Sequence, residues 1–233
     1  MARLALAGPG SAWRGVAGRG QARRGRTGQG LVFLLRGPYM SLVTLDVKIV
    51  GMAPLLMHNC QLADPTNEIV RRIKAITAKG KKKTDSDLEE LERLEFIGGL
   101  YVNEDGVPSV PGTSIEGAIC DGARKSRSGK DATCGVMCEG YWPLEYAGPK
   151  DQDALWGDRN FRDMRSVVVG QSRIMRMRPR FSSWKLRFQV SFIDEVVNEK
   201  DLRKWIVDAG RLCGILDYRP RCGRFEVESI VLA

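Results

Sequence analysis

Gly210-Arg-Leu-Cys-Gly-Ile-Leu-Asp-Tyr-Arg-Pro-Arg-Cys-Gly-Arg-Phe225 joins a helical pattern to a strand pattern, and its reading decides the fold. Upstream, Leu202, Trp205, Ile206, Ala209, Leu212 and Cys213 recur at the spacing of one helix face. Downstream, Phe225, Val227, Ser229 and Val231 keep the two-residue period of a half-buried strand. In between, glycines permit positive φ and a close approach of backbone to a ligand, while Arg219, Arg221 and Arg224 can fork onto phosphate oxygens. Gly223, next to the last strand, is the glycine the loop most needs. A helix C-cap at Gly214 followed by an ordinary loop with solvated arginines accounts for the same residues.

Working outward, residues 183–192 alternate cleanly, with Trp184, Leu186, Phe188, Val190 and Phe192 on one side and Lys185, Arg187 and Gln189 on the other. Residues 165–169 form a further strand. Between the two lies Ser172-Arg-Ile-Met-Arg-Met-Arg-Pro-Arg180. If it is extended, Arg176, Arg178 and Arg180 point one way, and with Arg173 they offer guanidinium groups to phosphates while Phe181 offers a stacking surface. Residues 42–50 are a strand rich in β-branched side chains. Residues 67–78 and 87–95 read as helices, the second N-capped by Ser86, with a lysine run at 81–83 breaking the pattern between them. Residues 100–102 and 107–110 flank a turn and predict a hairpin. At Pro111-Gly-Thr-Ser-Ile-Glu-Gly-Ala118 a helix opens, with Thr113 and Glu116 at capping-box spacing.

Stripped of insertions, the order is β (42–50), α (112–126), β (165–170), β (183–194), α (199–213), β (224–232). This is an α+β fold with the ferredoxin-like or RRM-like βαββαβ layout. Right-handed crossovers give one antiparallel sheet with both helices on one face. The other face and the insertions, 51–111 and 127–164, are left free for binding. Residues 41–233 form one domain.

Val110-Pro-Gly-Thr-Ser-Ile-Glu-Gly-Ala-Ile119 resembles the Pro-Gly-Ser-Ser-Leu-Lys-Gly-Ala-Leu-Arg helix opening of the RAMP superfamily, the backbone subunits of CRISPR effector complexes. Gly214 to Phe225 resembles the glycine-rich loop before the last strand of the same superfamily. The resemblance implies an RRM-like domain whose copies line up along a single strand, RNA rather than DNA, in a homo-oligomer or a multi-subunit complex. It places Thr113 and Ser114 among the strand-binding residues. Glu116 and Cys120 stand where the family often has Lys and Arg, which implies a divergent member, such as a phage or mobile-element protein. Some members cut RNA with an aspartate after the first strand, and Asp64 is the candidate here, although Asp64-Pro65 is also an ordinary turn. A metal-dependent RNA endonuclease and a phage assembly protein are therefore the alternatives to a non-catalytic subunit.

Composition bounds these readings. Apolar and charged fractions of 43% and 28% are those of a globular protein. No apolar run is long enough to span a membrane. Of the net charge of +9, seven arginines within residues 1–45 supply seven, which leaves +2 for residues 46–233. Nucleic-acid binding therefore has to rest on clustered arginines rather than global charge. Residues 1–40 are rich in Arg, Gly and Ala without apolar periodicity, and read as disordered. They suit a nucleic-acid tail, a targeting peptide or an upstream extension before Met40, and the last fits the onset of patterning just after that residue. Six cysteines without a disulfide framework predict reduced thiols and a cytoplasmic location. Cys134 and Cys138 have zinc-like spacing but lack a second pair, and no metal or cofactor is expected. His58, the single histidine, has no second histidine to form a catalytic pair.

Overall fold

The computed structural model describes residues 41–233, so the expectations for residues 1–40 lie outside the described residues. β1 (Leu42–Gly51) buries Leu45, Val47 and Ile49 and is followed by the short β2 (Leu55–Leu56). Asn67 caps α1 (Glu68–Ala78) by accepting the Ile69 N–H. Thr84 rather than Ser86 caps α2 (Asp85–Gly99), in a reciprocal capping box with Asp87. Extended by that cap and by its buried Leu94, Glu95 and Phe96, α2 runs to Gly99 instead of ending at residue 95.

The expected hairpin over 100–110 shrinks to one bridge, Val102 to Pro108. Its turn forms as anticipated, the Asn103 side chain accepting from the Asp105 and Val107 N–H groups. The following residues leave as β3 (Ser109–Pro111), which runs into α3 (Gly112–Lys125). Pro111 occupies the N-cap without a side-chain cap bond. Glu116, expected in a capping box, instead accepts the Cys138 N–H at 3.1 Å and ties α3 to the chain beyond it.

Residues 127–164, expected as an irregular insertion, contain α4 (Gly129–Gly135), β4 (Val136–Met137), β5 (Tyr141–Glu145) and α5 (Gln152–Gly157). Then come β6 (Arg162–Val169), β7 (Ser172–Phe181), β8 (Lys185–Ile193), α6 (Glu199–Asp208) with a π-turn over Ala209–Cys213, and β9 (Phe225–Leu232).

The main sheet is antiparallel, in the order β3-β5-β8-β1-β9, with β4 also on β8. α3 and α6 pack together on one face, their Ile115, Ile119, Leu202 and Ile206 closing a core with Leu186, Phe188, Val190 and Phe192. The α+β class and the central placement of the first and penultimate strands agree with the βαββαβ layout. The strand in second place does not: β5 and β4 occupy it, not residues 165–170. The cause is local. β6 pairs along its whole length with β7 around the tight Gly170-Gln171 turn, so it is spent before it can reach β8. The hairpin, with β2 on its other edge, makes a separate three-stranded sheet under α2.

The uncovered face of the main sheet is polar and largely self-paired. Arg187 grips both oxygens of Asp46, holding that carboxyl below the usual range, and Thr44 bonds Ser191 at 2.8 Å. Contact between the two helices depends on Gly122, where a Cβ would stand 2.4 Å from the Trp205 carbonyl oxygen. Gly122→Val is expected to push α3 from α6 and cost about 1–3 kcal/mol, measured by denaturant unfolding. An unchanged midpoint would show that the helices can yield.

Candidate nucleic-acid interface

The glycine loop between α6 and β9 folds back on itself. Ile215 N–H donates to the Gly223 carbonyl at 3.0 Å, and Gly223 N–H donates to Pro54 at 2.9 Å. Asp217 N–H donates to Leu56, so the loop is fastened to the segment that follows β1. Gly223 has φ +72°, and a Cβ there would lie 2.0 Å from the Ile215 oxygen. The requirement for glycine is thus steric as well as conformational.

From this loop the side chains spread in three directions. Asp217 pairs with Arg178 of β7. Tyr218 lies under the Arg165 guanidinium of β6, 4.6 Å from its centre, and remains 39% exposed. Arg219 bonds Asp121 of α3 at 3.0 Å. Arg221 and Arg224 face solvent.

Arg176, Arg178 and Arg180 do alternate as expected, but they are not a row of free cations. Arg176 pairs with Glu95, Arg178 is 7% exposed and paired with Asp217, and Arg180 is half-buried with its Nε sealed from water. Helix α2 lies against β7 and supplies the acid, which strand periodicity could not reveal. Arg173, nearer the hairpin tip, is exposed. Phe181 is not an exposed stacking surface. It is fully buried, edge-on to Tyr146 at 4.7 Å and to Phe161 at 5.7 Å.

At the start of α3, Thr113 is exposed and Ser114 half-buried. Ser114, His58, Tyr101, Leu216 and Asp217 line a small cavity of about 150 Å³, so the two motif stretches do meet. Partial withdrawal from water, followed by the charge of Arg178, holds His58 below its ordinary pKa. Asp64 is exposed, and its carboxylate accepts both the N–H and the hydroxyl of Thr66 in a turn leading to α1. Cys134 is exposed whereas Cys138 is buried, its thiol donating to the Gln189 carbonyl and pushed up to about 12 by burial. Among the described residues no group of three potential metal ligands converges.

One cluster of exposed cations joins Arg219 to Arg124, Lys125, Arg127 and Lys130 at the end of α3. One shallow groove is lined by Asp121, Arg124, Lys125, Tyr218 and Arg219, and a second by Arg124, Arg127, Lys130 and Thr133. Arg124 belongs to both, making a continuous strip from the end of α3 to the glycine loop. Of the acids along it, Asp217 is paired with Arg178, while Asp121 is shared by two cations of the strip itself, Arg124 and Arg219, so that Lys125, Arg127 and Lys130 are its cations without an ion pair among the described residues. A signal was present in Arg124-Lys-Ser-Arg-Ser-Gly-Lys130, a dense basic run in a nearly neutral body.

No protein-family model matches the chain, and no curated protein does. A solved chain that it resembles comes from the type III-B Cmr-beta complex, determined by cryo-EM bound to cognate target RNA. The likeness is distant: 12% identity and a TM-score of 0.43, over 82% of this chain. It spans 60% of the length of that chain. No helix among the described residues is long and apolar enough to cross a membrane.

Proposed function

We propose that the chain is a non-catalytic, divergent RAMP-type subunit that binds single-stranded nucleic acid, RNA in preference to DNA, and oligomerises along it. The observation that carries the binding is the continuous strip of Lys130, Arg127, Arg124, Lys125 and Arg219, ending at the exposed ring of Tyr218. Clustered cations neutralise successive phosphates and release their counterions, while an exposed aromatic ring stacks a base without reading its identity. The RNA preference and the assembly rest on the likeness of the α3 opening and the glycine loop to RAMP motifs. Arg221, Arg224, Thr113 and Ser114 flank the strip as secondary contacts, and Arg173 extends the surface on the hairpin. A cytoplasmic location fits six free thiols.

The strip makes a quantitative demand. Each phosphate neutralised contributes about 0.7 to the slope of log K against log salt for a single strand. Changing Arg124, Lys125, Arg127 and Lys130 together to Gln should reduce the magnitude of that slope by about 3. All four are surface residues, so the fold is expected to survive. Fluorescence anisotropy of labelled oligonucleotides over a salt series reads the slope, and the loss should be alike for unrelated sequences. A variant with the parent's affinity and slope would remove the strip from the reading. Light scattering with and without a long strand tests assembly separately.

A further inference from the structure

A second concavity lies away from the basic strip, between α1, α2 and the β6–β7 hairpin. It holds about 650 Å³, within the range of about 300–1,000 Å³ usual for small-molecule clefts. Its walls are aliphatic and thioether: Val70 and Ile73 from α1, Leu91 from α2, and Ile174, Met175 and Met177 from β7. Its charge is one-sided. Lys74 and Lys83 line it without an ion pair among the described residues, and Arg176 and Arg178 lie deeper. The one carboxylate in the lining, Glu95, is already occupied by Arg176 and by the Met177 N–H at 2.9 Å. Arg178 adds an unspent donor, because its buried Nη1 has no hydrogen-bond partner among the described residues. Buried unsatisfied donors are uncommon in native structures and call for an explanation.

We propose that this groove binds a small aliphatic anion, with its carboxylate or phosphate head at Lys74 and Lys83 and its hydrocarbon body along the Ile73, Ile174 and Met175 walls. Charge complementarity selects the anion, since cations outnumber the single, internally bonded acid. The lining favours an aliphatic body over a nucleobase, because the groove holds no phenyl, phenol or indole ring on which a base could stack, and its one aromatic group, the His58 imidazole, is shared with the small cavity at Ser114. Methionine suits such a ligand, since its flexible thioether adapts to chains of varying shape. None of these residues lines the basic strip, so the site is independent of the nucleic-acid reading and does not stand or fall with it.

Isothermal titration of the full chain with decanoate, held below its micelle concentration, tests the assignment. Saturable one-to-one binding is expected, with no binding of decyltrimethylammonium or of adenosine monophosphate. Lys74→Glu combined with Lys83→Glu should weaken decanoate roughly tenfold or more, because favourable head-group contacts become repulsive. Met175→Glu, at a 55% exposed position that tolerates the change, should weaken it comparably. Either variant should leave the affinity for single strands, and its salt slope, at the parent's values. The proposal is overturned if decanoate fails to saturate, if the cationic amphiphile binds as well, or if both variants bind decanoate like the parent. Saturable binding of adenosine monophosphate that Met175→Glu abolishes would reassign the groove to nucleotides. A parent dimer that Met175→Glu converts to monomer would reassign it to a second copy of the chain.

Discussion

Gly223→Val is expected to abolish the folded protein, seen as loss of soluble material or of any cooperative thermal transition. Valine tolerates φ +72° poorly, and the strain alone costs on the order of 1–3 kcal/mol. Its Cβ would also lie 2.0 Å from the Ile215 oxygen, so relief requires the loop to open. Opening separates Ile215 from Gly223 and Gly223 from Pro54, stranding backbone groups that have few other partners. Domains have total stabilities of only about 5–15 kcal/mol, so the combination is severe. Gly223→Ala should be nearly as harmful, because the offending atom is the Cβ itself. An alanine variant with the parent's melting temperature would show that the loop moves freely and is not the fixed junction described above.

The second large effect concerns Arg178 and Asp217, and it should be asymmetric. The Arg178 side chain is 9% exposed and that of Asp217 28%. Asp217→Leu leaves a buried guanidinium without its counter-charge, a change that costs about 3–5 kcal/mol in comparable sites. Arg178→Met removes the deeper charge and leaves an aspartate that water can reach, so roughly 1 kcal/mol is expected. The double variant should recover much of what Asp217→Leu loses, since a well-packed apolar pair often replaces a buried ion pair without penalty. Urea unfolding of the two single variants and the double variant gives the coupling energy directly. Equal costs for the single variants, adding simply in the double, would show that the pair is not coupled.

The parts of the fold that were legible in the sequence have strong, short-range periodicity. β1, β8, β9, α1, α3 and α6 were all recognisable, because alternation or helical spacing reflects one buried face. The second strand of the core was not legible. β4 and β5 are too short for a pattern, and Pro143 sits inside β5. The longer valine-rich β6 imitated a core strand, although its local hairpin partner had first claim on its edge. The exposure of the arginine row and of Phe181 was illegible for a related reason. Alternation placed Arg176, Arg178 and Arg180 on one side correctly, yet Glu95 and Asp217 come from 81 and 39 residues away and neutralise two of them. Phe181 reads as exposed from the sequence because nothing local indicates that Tyr146 and Phe161 fold over it. The basic run at 124–130 was visible throughout, but it straddles a helix end, so no single-element pattern drew it out.

The β6–β7 hairpin has a consequence for how this architecture can vary. Its ladder shares no strand with the main sheet, and it touches the glycine loop near its base, through Arg178 to Asp217 and Arg165 to Tyr218. Residue pairs added or removed at the Gly170 tip would therefore leave the registers of β1, β8 and β9 untouched. The length of the hairpin is a parameter that selection can adjust separately from the stability of the core, one residue added to each strand carrying the tip about 3.3–3.4 Å farther from the body, and two to each strand, which also keeps the side-chain facing, about 6.5–7 Å.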